Sequence, residues 1–461
     1  MFSSATYQQR RKTLADSLSS GIIVLLANEE SPMNYADNVY RYRQDSTFWY
    51  YLGLDGGGLG AIIDADAGTT TVFGDELSMD MIVWTGPLPS LASRCKQVGV
   101  AHIQPASDLD ATIGAARAEG RTIHYLPPYR HDQVIRWHEW LGTPASQVVE
   151  KASKELIQAV IQQRMIKTEE EIEQLEIAVR TTNRMHLTGM KMARPGLVEA
   201  EIMASVRQVA LAGNGDASFP IICTTHGQTL HNHHYHHTLE SGQLLLLDAG
   251  AEAPSYYSGD MTRTVPVDKR FTQKQKEVYQ IVLDANLAAI DALKPGVPYR
   301  DVHLLSAKVI TEGLQALGLM KGDVAASVEA GAHALFFPHG LGHAMGLDVH
   351  DMENLGEDLV GYDAEFKRSS QFGLRSLRLG RRLEPGFVLT VEPGIYFIPE
   401  LIDQWKANGT AADFVNFDAL EPYKSFGGIR IEDDYLITEN GARLLGDPVP
   451  KTVAEVEALR D

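Results

Sequence analysis

Acidic residues set into apolar, strand-forming runs constrain this chain more than any other feature of its sequence. Asp248 closes the run LLLLD, Glu392 follows VLTV, and Glu432 stands inside GGIRIEDDYLIT. An Asp after a strand has an ordinary explanation as an Asx turn. A Glu carried by a strand into a core does not, because a buried carboxylate is strongly destabilising unless it is paired or bound to a metal. The fold must therefore bring these strands together around partners for their acids.

At 461 residues the chain is long for one domain, and 44% apolar with 22% charged residues supports a sizeable core. GIIVLLA and GAIIDADAGTTTVFG alternate with helical stretches, so residues 1–160 are read as a small α/β domain. A capping box at Thr168 and Glu171, with Ile172, Leu175 and Val179 at helical spacing, opens a second domain over 161–461. Another helix should start at Thr272 with Gln275, bury Val278, Ile281, Val282, Ala285 and Ala289, and stop at Lys294-Pro295-Gly296. Val453 to Leu459 is a short helix, and Asp351 to Arg382 a charged, Gly-containing loop at a site edge.

The balance of 41 basic against 60 acidic residues gives a net charge of -19, which repels nucleic acid and anionic lipid. No apolar run approaches the ~20 residues that span a bilayer. Cys95 and Cys223 are too few for a disulfide framework. Arg10 and Arg11 precede no apolar stretch before Gly21, so an unprocessed, cytoplasmic protein is expected.

The segment from 339 to 351, HGLGHAMGLDVHD, places His339, His343 and His350 among Gly340, Gly342 and Gly346. Glycine lets backbone approach a site closely, and imidazole suits a first-row metal. Asp260 follows Asp248 by twelve residues, so the two lie on one hairpin. Together Asp248, Asp260, His343, Glu392 and Glu432 form an oxygen-rich set for two divalent ions, with manganese, cobalt or zinc suited to it and copper not. Two such ions can share a hydroxide and polarise a carbonyl, which amide hydrolysis requires.

HGLGHxxGLDVHD, LxPGxVLTVEPGIYF and FGGIRIEDD, with the order Asp, Asp, His, Glu, Glu, resemble the pita-bread metallopeptidases that cleave before proline, prolidase and aminopeptidase P. YRYRQDSTFWYYLG resembles the family's small N-terminal domain. The resemblance implies an α/β plus α+β architecture, a small N-terminal α/β domain followed by a pita-bread catalytic domain. It implies that Asp248 holds one ion, His343 and Glu392 the other, and that Asp260 and Glu432 bridge, with manganese the first expectation. His231, His339 and His350 match substrate-side histidines, Glu392 also matches a proton acceptor, and Thr262 and Arg430 flank ligands, with Arg430 also expected among the substrate-binding residues. The family spaces its two aspartates eleven apart, so a longer or bulged hairpin is expected here. The run LHNHHYHH, with His231, His233, His234, His236 and His237, is read as a solvated loop rather than a third metal site.

Arg grips a carboxylate in a fork, and the stretch LRxxRxLxPG resembles prolidases in which the first arginine, here Arg378, faces the substrate carboxylate. The forty residues from Glu392 to Glu432 also resemble prolidases. A dipeptidase acting on small peptides with proline second is therefore expected. An aminopeptidase for longer peptides is the alternative, and a non-catalytic binding protein on the same scaffold a third. The resemblance further implies a homodimer.

Overall fold

The run GIIVLLA forms the fully buried strand Ile22–Leu26 in the computed structural model, which describes residues 2–460. This strand pairs antiparallel with Gly60–Asp64, which continues into Thr69–Phe73 through a tight turn. Parallel strands His102–Gln104 and Ile123–His124 close the edges of the five-stranded sheet. The helix Ser46–Leu52 is buried at every position and capped by the Asp45 side chain. Arg10 and Arg11 are also buried here, donating to the carbonyls of Tyr50 and Tyr51. The chain divides into two compact units between Arg164 and Met165.

In the second unit, Thr168 caps the helix Glu169–Met192 with a complete capping box, and Ile172, Leu175 and Val179 face the core. Thr272 does the same for Gln273–Ala292, which ends before Gly296 in the left-handed region. The last helix is Val453–Leu459. Residues from Asp351 to Arg382 hold only short helical turns at Glu353–Leu355, Glu357–Val360 and Leu374–Ser376.

Three small antiparallel sheets carry the acids. One orders Thr262–Pro266, Leu244–Asp248 and Ile222–Thr224; another orders Val388–Val391, Asp433–Thr438 and Gly441–Leu444; the third pairs Gly394–Tyr396 with Gly428–Arg430. Glu432 thus lies not inside a strand but at the break between two. There the chain leaves one ladder for the next, and the Glu432 N–H bonds to Thr262 O at 3.1 Å. Among the described residues, no helix is long and apolar enough to cross a membrane.

The aspartate hairpin is longer, without a bulge. Asp248 faces Thr262, Ala249 N–H meets Met261 O, Gly259 N–H meets Ala251 O, and Ala253 N–H meets Tyr257 O, one constant register to the tip. The extra length is taken up there, where Tyr256 adopts φ 68. Asp260, two residues before Thr262, consequently shares a face with Asp248. Close approach of the two arms requires glycine, because a Cβ on Gly250 would stand 1.9 Å from Gly259 O.

Candidate metal centre

Each acid reaches the centre because backbone order places it there. Asn286, buried on the helix Gln273–Ala292, donates through Nδ2 to the carbonyls of Val391 and Ile431, at 3.2 and 3.3 Å. Those are the residues immediately before Glu392 and Glu432, so one amide fixes both glutamates. Gly342 lets the histidine segment lie against the Val388–Val391 strand, since a Cβ there would meet Thr390 O at 2.1 Å. His343 and Thr390 exchange hydrogen bonds, and Ala344 bridges Leu389.

One cavity of ≈ 280 Å³ is lined by Asp248, Asp260, His343, Glu392, Glu432, His231, His339, His350, Arg378 and Arg430. Phe219, Pro220, Ile222 and Leu230 give it an apolar side. Donor atoms of Asp260, His343 and Glu432 lie within 4.8 Å of one another. His343 donates from Nδ1 to Ala344 O at 3.1 Å, so its Nε2 lone pair faces Asp260 Oδ2 at 3.4 Å and Glu392 Oε1 at 3.7 Å. That tautomer is the one a metal-binding imidazole needs. Glu432 accepts from the Thr262 hydroxyl at 2.6 Å.

Two observations show that the donor set fits cations. Oδ1 of Asp248 and Oδ1 of Asp260 are both buried without a hydrogen-bond partner, a costly condition unless something else satisfies them. The charges also conflict. Burial first, then the Asp248 charge, holds the Asp260 carboxyl well above its usual range. Burial, with Asp260 and Glu392 beside it, does the same to Glu432. Burial raises Glu392 to about 8, with Arg430 pulling it down and Asp260 and Asp248 pushing it up. Like charges this close cannot all ionise without a cation between them.

Glu392 has its folded pKa raised above the unfolded one, so its favourable contribution to the metal-free fold is complete below pH about 4.5 and is lost as pH climbs to about 8. Divalent ions must displace those protons, so their stabilising effect grows over the same window. Urea denaturation of chelator-treated protein, with and without manganese chloride at pH 5, 6.5 and 8, should show a metal-induced shift that increases with pH. A shift independent of pH would contradict this.

Around the acids lies a second layer of contacts. Arg430 donates to Asp248, to the Thr262 hydroxyl and to the Tyr396 hydroxyl. The Tyr396 hydroxyl in turn meets His339 Nε2 at 2.8 Å, while His339 Nδ1 bonds Gly340 O. Both ring nitrogens of His339 are therefore engaged. His350 donates from Nδ1 to Glu353, and that hydrogen bond is the main reason the Glu353 carboxyl falls to about 2. Arg378 is gripped by Glu353 at 3.3 Å and Glu357 at 3.1 Å. His231 stands on an exposed loop at the cavity mouth.

Sequence reasoning missed Asn286, Tyr396 and Glu353. Tyr396 had a signal, since it stands four residues after Glu392 in the same quoted motif. Asn286 had none beyond being polar on an otherwise apolar helix face.

Residues 173–439 match metallopeptidase family M24, and residues 7–124 match the N-terminal domain of aminopeptidase P. The chain is 32% identical to an Xaa-Pro dipeptidase of Homo sapiens, over 95% of this chain and 88% of that one. It is 31% identical to a Sordaria macrospora protein described as "Probable Xaa-Pro aminopeptidase", over 96% and 91%. A zinc-substituted Escherichia coli aminopeptidase P in complex with product has the same fold, with TM-score 0.82 and 28% identity, covering 100% of this chain and 98% of that one.

Proposed function

Because this chain belongs to metallopeptidase family M24, with an aminopeptidase P N-terminal domain ahead of its catalytic part, we propose that it hydrolyses the bond between an N-terminal residue and proline, as an Xaa-Pro dipeptidase. The observation that carries this reading is the single cavity that gathers the acids, His343, His231, His350 and a cation, Arg378. Asp248, Asp260, His343, Glu392 and Glu432 would hold two divalent ions, manganese first, given so many oxygen donors. The ions, when bound, acidify water and polarise the scissile carbonyl.

The chain's own groups do the rest. Glu392, ionised once bound ions have displaced its proton, would accept the proton released as the nucleophile attacks. His350 is oriented into the cavity by Glu353; burial lowers the pKa of its ring, and the Glu353 carboxylate opposes that shift, so it favours the protonated ring as negative charge develops on the carbonyl oxygen. His339 and Tyr396 hold Arg430, and Arg430 holds Asp248, so this chain of hydrogen bonds fixes a ligand rather than touching the substrate. His231 meets the substrate at the mouth. The protein is read as a cytoplasmic homodimer.

Specificity turns on Arg378. A dipeptide ends in a carboxylate beside proline, and a guanidinium lining the cavity is the group to meet it. Arg378→Ala should lower turnover of Ala-Pro at least ten times more than that of Ala-Pro-Ala. Equal losses would remove the clamp. One observation favours the aminopeptidase reading: Glu353 and Glu357 already share the Arg378 charge. If they neutralise it fully, longer chains are accepted, and the wild-type protein would cleave Ala-Pro-Ala faster than Ala-Pro.

A further inference from the structure

The hydrogen bonds that order Glu392 and Glu432 continue away from the cavity and end on the segment 449–451. Asn286 donates through Nδ2 to the carbonyls just before the two glutamates, and its Oδ1 accepts from Lys451 Nζ at 3.0 Å. A lysine ammonium only donates, so this bond fixes which end of the amide faces the two strands. Lys451 Nζ also meets Asp433 Oδ2 at 2.8 Å, while Asp433 Oδ1 accepts from Arg263 at 2.6 Å. Buried Arg263 directs its other donors at main-chain carbonyls, among them Glu432 O at 2.7 Å, Val449 O and Pro450 O. Tyr279, on the same helix as Asn286, donates its hydroxyl to Lys451 O at 2.8 Å and so holds the segment in place.

Lys451 does not line the cavity, and no step assigned above uses it. Asn286 is wholly buried. Its Oδ1 would be left unsatisfied without Lys451, a destabilising condition, and rotation of the amide to relieve it would release Val391 O and Ile431 O. Lys451 therefore acts on bound ions in two ways of opposite sign. As a cation it repels them, so its removal would tighten their binding. As the donor that fixes Asn286 it keeps both glutamates in place, so its removal would weaken binding. The charge is already met by Asp433 at 2.8 Å, and the second effect prevails.

We propose that Lys451 is a positioning residue of the metal centre, acting through Asn286 to set how tightly Glu392 and Glu432 hold divalent ions. The inference rests on the reading of those two glutamates as ligands. It places the control of metal affinity on a side chain outside the cavity and remote in sequence from every ligand except Glu432.

The test titrates metal-depleted wild type, Lys451→Met, Asn286→Ala and the double variant with manganese chloride and counts bound ions by equilibrium dialysis. Lys451→Met should bind about tenfold more weakly, the lower end of what replacing a residue behind a metal ligand does. Adding it to Asn286→Ala should bring no further loss. Unchanged or tighter binding by Lys451→Met, or an equal further loss in the Asn286→Ala background, would overturn the proposal. Urea denaturation of the metal-free samples separates a merely structural role, which would lower the midpoint and leave the affinity of the folded protein at the wild-type value. Lys451→Gln, with a neutral donor on a shorter stem, is judged by the same criteria if the Met variant does not fold. A wild-type protein that binds no manganese would instead remove the glutamates as ligands, a result distinct from equal affinity in wild type and variant.

Discussion

Asp260→Asn should lose bound metal and peptidase activity together, with turnover falling on the order of a thousandfold or more. Removing one oxyanion donor alone costs about 10²–10³, and on the proposed assignment this change removes a charge from both ion positions. The side chain keeps its shape, but the amide puts N–H donors where Asp260 now offers one unpartnered oxygen and another 3.4 Å from His343. Misfolding predicts something different. Because burial and the Asp248 charge already disfavour the Asp260 carboxylate in the metal-free fold, a neutral amide costs that fold little. Metal-free variant and metal-free wild type should therefore unfold at similar urea concentrations at neutral pH. Full metal content in the variant would remove Asp260 from the ligand set.

His350→Ala should do the opposite to metal and the same to rate. His350 touches Glu353 and packs its ring 4.2 Å from that of His343, but it is not among the clustered donors. The variant should keep its ions while kcat falls about 10²–10³-fold, the scale of a lost oxyanion donor. Glu353→Gln provides a graded comparison, since it leaves the imidazole in place but withdraws the anion that supports its protonated form. A His350→Ala protein that loses its metal would assign the ring to coordination instead.

Much of this was legible in the sequence because it is local or chemically forced. The helix starts at Thr168 and Thr272 were readable from capping residues three positions apart. The acids were readable because a carboxylate in a buried strand has few physical explanations. What escaped was long-range. Arg430 reaches Asp248 across the fold and Asn286 ties two strands that are remote in sequence, so no local pattern announces either contact. Glu432 looked like a strand interior because IRIEDDYLIT is β-forming throughout. Only the bond to Thr262 shows that the chain changes ladders at that residue. The hairpin length was visible as a number, but its consequence was set by where the turn falls, at Tyr256 rather than beside Asp260.

The most direct measurement is a titration of metal-depleted protein with manganese, following ions bound per chain and proline released from Ala-Pro in the same samples. The account predicts that proline release rises as the catalytic positions fill and saturates at two ions per chain. A protein that takes up no ion, or that takes up two and leaves Ala-Pro and Ala-Pro-Ala intact, would contradict it.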